Sequence, residues 1–247
     1  MRARDPASNR AKPPFDVDAL WAVERIAEPS LSPDGRLACA AVTSFSMARN
    51  EGTTEIWLYP TGFGPRGRVA KPRRLAKADH GGAPCFSPDG TRIAFTAKRE
   101  GDAEPQVYVI AIDGGEAERV TNLATGASAI KWFPDGKRIA LVSWVWPDLA
   151  TEAAQARRYK EHKDKTVKAH LTERAEYRYW DHWLTDGREP HVLACDVATR
   201  RTVDLLSGTR VALPPWDPGI EHYDIAHDGR EIALTVDPEA EPGMMHR

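Results

Sequence analysis

Ser87-Pro88-Asp89-Gly90-Thr91-Arg92-Ile93-Ala94-Phe95 is a turn followed by a short apolar strand, and the chain repeats it. Further copies of the turn stand at Ser32-Pro33-Asp34-Gly35 and Phe133-Pro134-Asp135-Gly136, with a degenerate one at Ala226-His227-Asp228-Gly229. The following strands are alike too: Arg36-Leu37-Ala38, Arg138-Ile139-Ala140-Leu141 and Glu231-Ile232-Ala233-Leu234. Proline presets φ at the first turn position, aspartate tolerates the bridge or left-handed region, and glycine takes the positive φ of a tight reversal. A recurrent hairpin of this kind predicts a repeat architecture.

The spacing identifies which one. Asp34 and Asp89 lie 55 positions apart, Asp89 and Asp135 46, and Asp135 and Asp228 93, one period plus an insertion of similar length. Units of about 40–50 residues built from short strands match one four-stranded blade of a β-propeller. Helical repeats of that length need a 3.6-residue period, whereas these segments alternate with period two. Gln106-Val107-Tyr108-Val109-Ile110-Ala111-Ile112 reads as a strand ending in the turn Asp113-Gly114-Gly115, and Ala117-Glu118-Arg119-Val120-Thr121 as the outer strand. Glu55-Ile56-Trp57-Leu58-Tyr59 and Arg73-Arg74-Leu75 are the same parts one blade earlier.

The expected fold is all-β: a partial propeller of about 3.5 four-stranded blades, with a short N-terminal helix and a helical insertion in blade three. Residues 1–14 read as a disordered polar leader and 15–28 as the helix, capped by Asp16 or Asp18. The incomplete propeller occupies 29–247. Blade one runs from about Pro29 to Ala76, with a loop near Phe45 to Thr53. Blade two covers about Ala83 to Leu123, and blade three opens at Ala127 and resumes at His191. The insertion spans about 147–188. Its stretch Ala150 to Glu176 lacks Pro and Gly and favours helix, and Tyr177 to Trp183 is dense in aromatics. Such an excursion is either a solvated arm anchored by its aromatics or a segment that contacts a substrate or partner. Only the first hairpin of blade four is present, and a closed ring needs 4–8 blades.

Composition narrows the function classes. Of 247 residues 41% are hydrophobic and 28% charged, ordinary for a protein with a real core. A net charge of −2 and a pI near 6.5 give no attraction to nucleic acid or an acidic membrane. No apolar run approaches the ~20 residues that span a bilayer, and no secretory signal is visible, so the expected location is cytoplasmic. Cys39, Cys85 and Cys195 are scattered and odd in number, which predicts reduced core thiols rather than a disulfide framework.

Phe15-Asp16-Val17-Asp18-Ala19-Leu20 followed by Ile26-Ala27-Glu28-Pro29-Ser30-Leu31 and the first turn resembles the amino-terminal region of the prolyl oligopeptidase family of serine peptidases. The nearest branch is the acylaminoacyl-peptidase and dipeptidyl-peptidase-like one. Tyr179-Trp180-Asp181-His182-Trp183, then Asp186-Gly187-Arg188-Glu189-Pro190-His191-Val192, resembles a segment after the propeller insertion of that branch. The resemblance implies a propeller that admits small or unfolded peptides to a carboxy-terminal α/β-hydrolase domain bearing Ser, Asp and His. That domain's Gly-x-Ser-x-Gly elbow is absent from this sequence; Gly126-Ala127-Ser128-Ala129-Ile130 fails at the second glycine. The chain alone is therefore expected to be inactive, with no catalytic residue, no cofactor and no metal site.

The resemblance also supplies candidates for substrate binding. Dipeptidyl-peptidase-like enzymes hold a peptide's free amino terminus with carboxylates from a propeller insertion, because a partly desolvated ammonium needs a carboxylate partner. Glu173 and Glu176 are the first candidates, with Arg178, Asp181, His182 and Trp183 beside them; the bland alternative is exposed helix glutamates. The aspartates and glycines of the turns, Asp34, Gly35, Asp89, Gly90, Asp135, Gly136, Asp228 and Gly229, are read as structural. Gly62-Phe63-Gly64-Pro65-Arg66-Gly67 lacks the Lys-Ser/Thr ending of a phosphate loop and reads as a flexible link. Trp57, Tyr108 and Trp132 fall at strand positions and read as core. The leading function is a non-catalytic propeller segment that gates and lines peptide access to a hydrolase domain outside this chain. The alternatives are a stand-alone, Tol-system-like protein- or peptide-binding module and a non-functional gene fragment. An open propeller edge also predicts self-association.

Overall fold

A computed structural model describes residues 15–62, 71–167, 169–172, 177–180 and 182–236. The expected leader 1–14 and most of the Gly62–Gly67 link lie outside the described residues. Helix α1, Val17–Ala22, is capped by Asp16, whose Oδ1 accepts the Ala19 N–H at 2.8 Å. It is shorter than the expected 15–28. Val23 is extended, and β1 (Arg25–Leu31) takes over because Arg25, Ile26 and Ala27 pair with Thr43, Val42 and Ala41. Ladder bonds to a neighbouring strand outweigh weak local helical preference, and Pro29 would interrupt a helix in any case.

Blade one is β1, β2 (Leu37–Ser46), β3 (Glu51–Pro60) and β4 (Arg73–Lys77), hydrogen-bonded in sequence order. The expected loop near Phe45 to Thr53 contracts to Met47–Asn50, since β2 and β3 pair all the way from Leu37↔Pro60 to Ser46↔Glu51. Blade two is β5 (Gly82–Phe86), β6 (Arg92–Ala97), β7 (Gln106–Ala111) and β8 (Glu118–Arg119). Blade three starts with β9 (Ser128–Trp132) and β10 (Arg138–Val145). The insertion follows, with α2 (Glu152–Asp164) and a small hairpin of β11 (Arg178–Tyr179) and β12 (His182–Trp183). Blade three then closes with β13 (Glu189–Asp196) and β14 (Thr202–Asp204). A two-stranded sheet, β15 (Tyr223–Ile225) and β16 (Ile232–Leu234), begins blade four. The fold is thus a partial β-propeller of three whole blades and a half.

Each repeated turn is built alike. Gly35, Gly90, Gly136 and Gly229 have φ of 68°, 71°, 64° and 69°, and each donates its N–H to the carbonyl three residues back. The turn aspartate accepts the backbone N–H two residues on: Arg36 on Asp34 at 3.0 Å, Thr91 on Asp89 at 3.0 Å, Lys137 on Asp135 at 2.8 Å and Arg230 on Asp228 at 3.0 Å. The Ser87 hydroxyl also donates to Asp89, and these bonds hold that carboxyl at about 2.

The same motif joins neighbouring blades. A Cβ built on Gly90 would lie 3.3 Å from Pro33 Cδ, one on Gly136 3.8 Å from Pro88 Cδ, and one on Gly229 3.6 Å from Pro134 Cδ. Each turn's proline ring therefore sits on the next turn's glycine. The arginine two positions after the glycine reaches across as well: Arg92 Nη2 donates to Gly136 O at 2.7 Å and Arg138 Nη2 to Gly229 O at 3.4 Å. These contacts predict the result of two substitutions. Gly136→Ala will cost about 1–2 kcal/mol, the left-handed backbone penalty alone. Gly90→Ala will cost more, because its methyl also crowds Pro33. Equal losses in urea unfolding would refute this account of the seam.

The core lies between the blades. Cys39, Ala41, Ile56 and Leu58 of blade one meet Phe86, Ile93, Phe95, Tyr108 and Ile110 of blade two. Ala94, Val107 and Val109 of blade two meet Trp132, Ile139, Leu141, Leu193 and Cys195 of blade three. Ala140, Val142, Val192 and Ala194 of blade three then meet Tyr223, with Ile225, Ile232 and Leu234 packed alongside. Every seam has one direction: the leading blade offers mostly small or β-branched residues, and the following blade inserts large ones. Cys39 Sγ, Cys85 Sγ and Cys195 Sγ point at carbonyls of the neighbouring blade, those of Pro84, Ile130 and Val120, and all three thiols are free. Trp132 and Tyr108 are buried as expected, whereas Trp57 is half-buried. Among the described residues no helix is long and apolar enough to cross a membrane.

Candidate functional site

The innermost strands of successive blades, β1, β5 and β9, share an irregularity. Each carries a bulge, between Ala27 and Ser30, between Gly82 and Cys85, and opposite Ala140–Val142. At each bulge one non-glycine residue is left-handed: Glu28 at φ 53°, Ala83 at 49° and Ala129 at 47°. All three stand six positions before the turn aspartate. A bulge strengthens twist and re-aims side chains, and bulges are common beside binding sites. Here they turn the inner edges towards a groove of about 740 Å³.

The groove has apolar walls and charged corners. Pro29, Pro84, Ile130 and Trp132 line it, and Trp132 is fixed by donating Nε1–H to Cys85 O at 3.2 Å. Glu28 accepts the Ala83 N–H across the first seam. Lys131 Nζ donates to Tyr223 O at 2.8 Å and to Asp224 Oδ1 at 3.0 Å, which holds the Asp224 carboxyl below the usual carboxylate range. Asp217 and Glu221 complete the rim. Four carboxylates to one ammonium leave a groove that attracts cationic groups.

The groove has no activated thiol: burial pushes Cys39 and Cys85 up to about 12, and Cys195 is raised for the same reason. Among the described residues no cluster of three His, Cys, Asp or Glu side chains suits a metal ion.

The insertion lies elsewhere. Helix α2 ends at Asp164, well short of Glu176, although the composition favours helix throughout. Its first half is the part that packs. Gln155 accepts the Trp146 N–H at 3.0 Å and donates to Trp146 O at 2.8 Å and Leu149 O at 3.0 Å. Tyr159 and Lys163 both donate to Glu104 in the β6–β7 loop of blade two. Beyond Asp164, Val167 and Leu171 are 74% and 88% exposed, so no burial supports further turns.

Of the expected binding residues, Arg178 and Trp183 come together in the small hairpin, the guanidinium 5.0 Å above the indole. Trp183 also stacks on His170 at 3.9 Å and Tyr177 at 5.9 Å. Glu173, Glu176 and Asp181 lie outside the described residues, as does the His182 side chain. Neither Arg178 nor Trp183 lines the inner groove. Asp186-Gly187-Arg188 is a turn: Gly187 has φ 76°, Arg188 donates its N–H to Asp186 Oδ1, and Trp146 Nε1–H binds Asp186 O at 2.8 Å.

Docking of the arm is expected to depend on pH. Partial burial pushes the Glu104 carboxyl up, but hydrogen bonds from Lys163 and Tyr159 outweigh it and leave the group below its ordinary range. A lowered native pKa stabilises above the unfolded value of about 4.3 and is lost as pH falls through the native one. Protection of the α2 amides against hydrogen exchange will therefore drop below about pH 4. In Glu104→Gln that drop will disappear; an unchanged acid transition in the variant refutes the assignment.

No protein-family model matches the chain. It is 34% identical over 123 residues to the uncharacterized peptidase YuxL of Bacillus subtilis, covering 50% of this chain and 18% of that protein. It is 27% identical over 223 residues to dipeptidyl-peptidase 5 of Porphyromonas endodontalis, covering 88% of this chain and 30% of that protein. The chain thus spans less than a third of the curated relatives it matches. Its fold superposes on an acylaminoacyl peptidase of Pyrococcus horikoshii with a TM-score of 0.53 at 14% identity, over 74% of this chain and 25% of that one. The class is a partial β-propeller. Its sequence relatives are peptidases, in keeping with the resemblance to the prolyl oligopeptidase family.

Proposed function

We propose that this chain is a non-catalytic propeller segment of a prolyl-oligopeptidase-like serine peptidase, and that its inner groove lines the path of peptide substrates to an α/β-hydrolase domain outside the given sequence. The observation that carries the reading is the groove itself. It is formed by the bulged inner strands, walled by proline, isoleucine and tryptophan, and edged by Glu28, Asp217, Glu221 and Asp224. An extended peptide offers apolar side chains to such walls and a free ammonium to such carboxylates. The peptidase relatives support it, and the free thiols suit a reducing, cytoplasmic compartment.

Fluorescent unstructured peptides with free amino termini should bind the chain in a salt-sensitive way, and Glu28→Gln with Glu221→Gln should weaken them. No peptide turnover should accompany binding. Equal affinity for amino-acetylated peptides, or for a folded protein of similar charge, defeats the proposal. In the complete enzyme, Glu173→Gln and Glu176→Gln should raise KM for free-amine peptides, if the arm supplies a second carboxylate set.

A further inference from the structure

Blades two and three and the start of α2 enclose a second cavity. Its volume is about 310 Å³, at the small end of the roughly 300–1,000 Å³ of ligand pockets. It shares no lining residue with the inner groove. Val145, Leu149 and Leu193 make its apolar wall, and Val145 and Leu193 are 5% and 4% exposed. That wall is fixed in place, because the hydrogen bonds of the buried Gln155 amide tie α2 to Trp146 and Leu149.

Three charged side chains share the lining: Glu152, Arg200 and Asp204. Glu152 accepts the Ala124 N–H at 2.8 Å, and Asp204 Oδ1 accepts the Leu206 N–H at 2.9 Å. The other Asp204 oxygen lies 2.8 Å from Nδ1 of His191, which is 2% exposed, so a buried ring orients that carboxylate. Among the described residues neither acid meets a lysine or an arginine. Partial burial raises the Glu152 carboxyl above its ordinary range, in keeping with an acid that lacks a cation. Arg200 stands in the β13–β14 turn at φ 60°, where glycine would be unstrained. Its ion pair with Glu118 is loose, 3.6 Å between two exposed side chains, and leaves the guanidinium available to a better partner.

We propose that this cavity binds a free aliphatic α-amino acid, its ammonium taken by Glu152 and Asp204, its carboxylate by Arg200 and its side chain by Val145, Leu149 and Leu193. A partly desolvated ammonium needs a carboxylate, and a guanidinium matches a carboxylate with two parallel hydrogen bonds. Two acids beside one base repel a phosphate or a dicarboxylate, and the small volume keeps out a nucleotide. The proposal goes beyond the peptide-path reading and does not depend on it.

Isothermal titration calorimetry of the 247-residue chain with L-leucine tests it. Saturable binding at one site per chain is expected. N-acetyl-leucine, which lacks the ammonium, and leucinamide, which lacks the carboxylate, should each bind about tenfold or more weakly. Glu152→Gln should weaken leucine about tenfold and shrink the penalty for N-acetyl-leucine; Arg200→Gln should do the same for leucinamide. Both side chains lie at the surface, so circular dichroism should be unchanged. Bound leucine should also slow hydrogen exchange of the α2 amides, since it ties the helix start to blade three. Glu28→Gln, in the inner groove, should leave leucine affinity as it is; a loss there would place the ligand in the groove and overturn the proposal. So would an absence of saturable binding at millimolar leucine, or analogue penalties that persist in full in both variants.

Discussion

Asp102→Ala will unfold this protein about 3–5 kcal/mol more easily, since it removes one partner of a buried charged network. The Asp102 side chain is 2% exposed. It accepts the Tyr108 hydroxyl at 2.7 Å and the Arg99 N–H at 3.0 Å on one oxygen, and Arg119 Nη1 at 3.0 Å on the other. Arg99 in turn lies 4.3 Å over the Tyr108 ring. Burial and the bond to Asp102 push the Tyr108 hydroxyl up to about 12, so it stays a donor throughout the working range. Without the carboxylate, the buried Tyr108 phenol and the Arg99 N–H lose their acceptor, while Arg119 keeps only its bonds to Thr121 O and Asn122 Oδ1. The β6–β7 loop loses its anchor, and with it the Glu104 that docks α2. For a chain of this size the loss corresponds to roughly 6–20 °C in Tm. Asp102→Asn keeps an acceptor and should lose less. Chemical denaturation showing under 1 kcal/mol for the alanine variant would mean that the network is incidental.

Trp132→Ala should be similarly severe, about 3–5 kcal/mol, through the cavity it leaves in the seam between blades two and three. The indole is 9% exposed, packs among Ile139, Leu141 and Ala94, and carries Arg92 at 4.9 Å over its face. Arg92 is also the residue that crosses to the Gly136 carbonyl. The substitution therefore weakens the apolar seam and the turn clamp together. Trp132→Phe keeps a six-membered ring in the seam but removes the pyrrole portion and the Nε1–H bond to Cys85 O, so a smaller loss of about 1–2 kcal/mol is expected. Trp132 also lines the inner groove, so the alanine variant should lose peptide binding even where it remains folded. Alanine and phenylalanine variants of equal stability would contradict the cavity argument.

Little beyond local chemistry was needed to read the blades. Proline, aspartate and glycine at fixed offsets impose a turn wherever they occur, and the alternation behind each turn sorts side chains between two blade faces. The groove was harder to see. Its one signal is proline at the same place, five positions before the turn aspartate, in Pro29 and Pro84, which marks a strand that cannot keep an unbroken ladder. Blade three has Ile130 there and bulges all the same, so a proline is not required for the bulge. The Asp102 network gave no signal, since nothing in Arg99-Glu100-Gly101-Asp102 distinguishes an aspartate that will be buried from one in a solvated loop.

The repeat, the turn geometry and the alternating strands were determined by the amino-acid sequence alone, because they depend on dihedral limits and on periods a few residues long. Tertiary structure decided where α1 yields to β1, where α2 stops, which turn arginine reaches the next blade and which carboxylates share one groove. Those outcomes rest on contacts between residues tens of positions apart, and a strand or helix keeps its form there only where a neighbouring blade buries it.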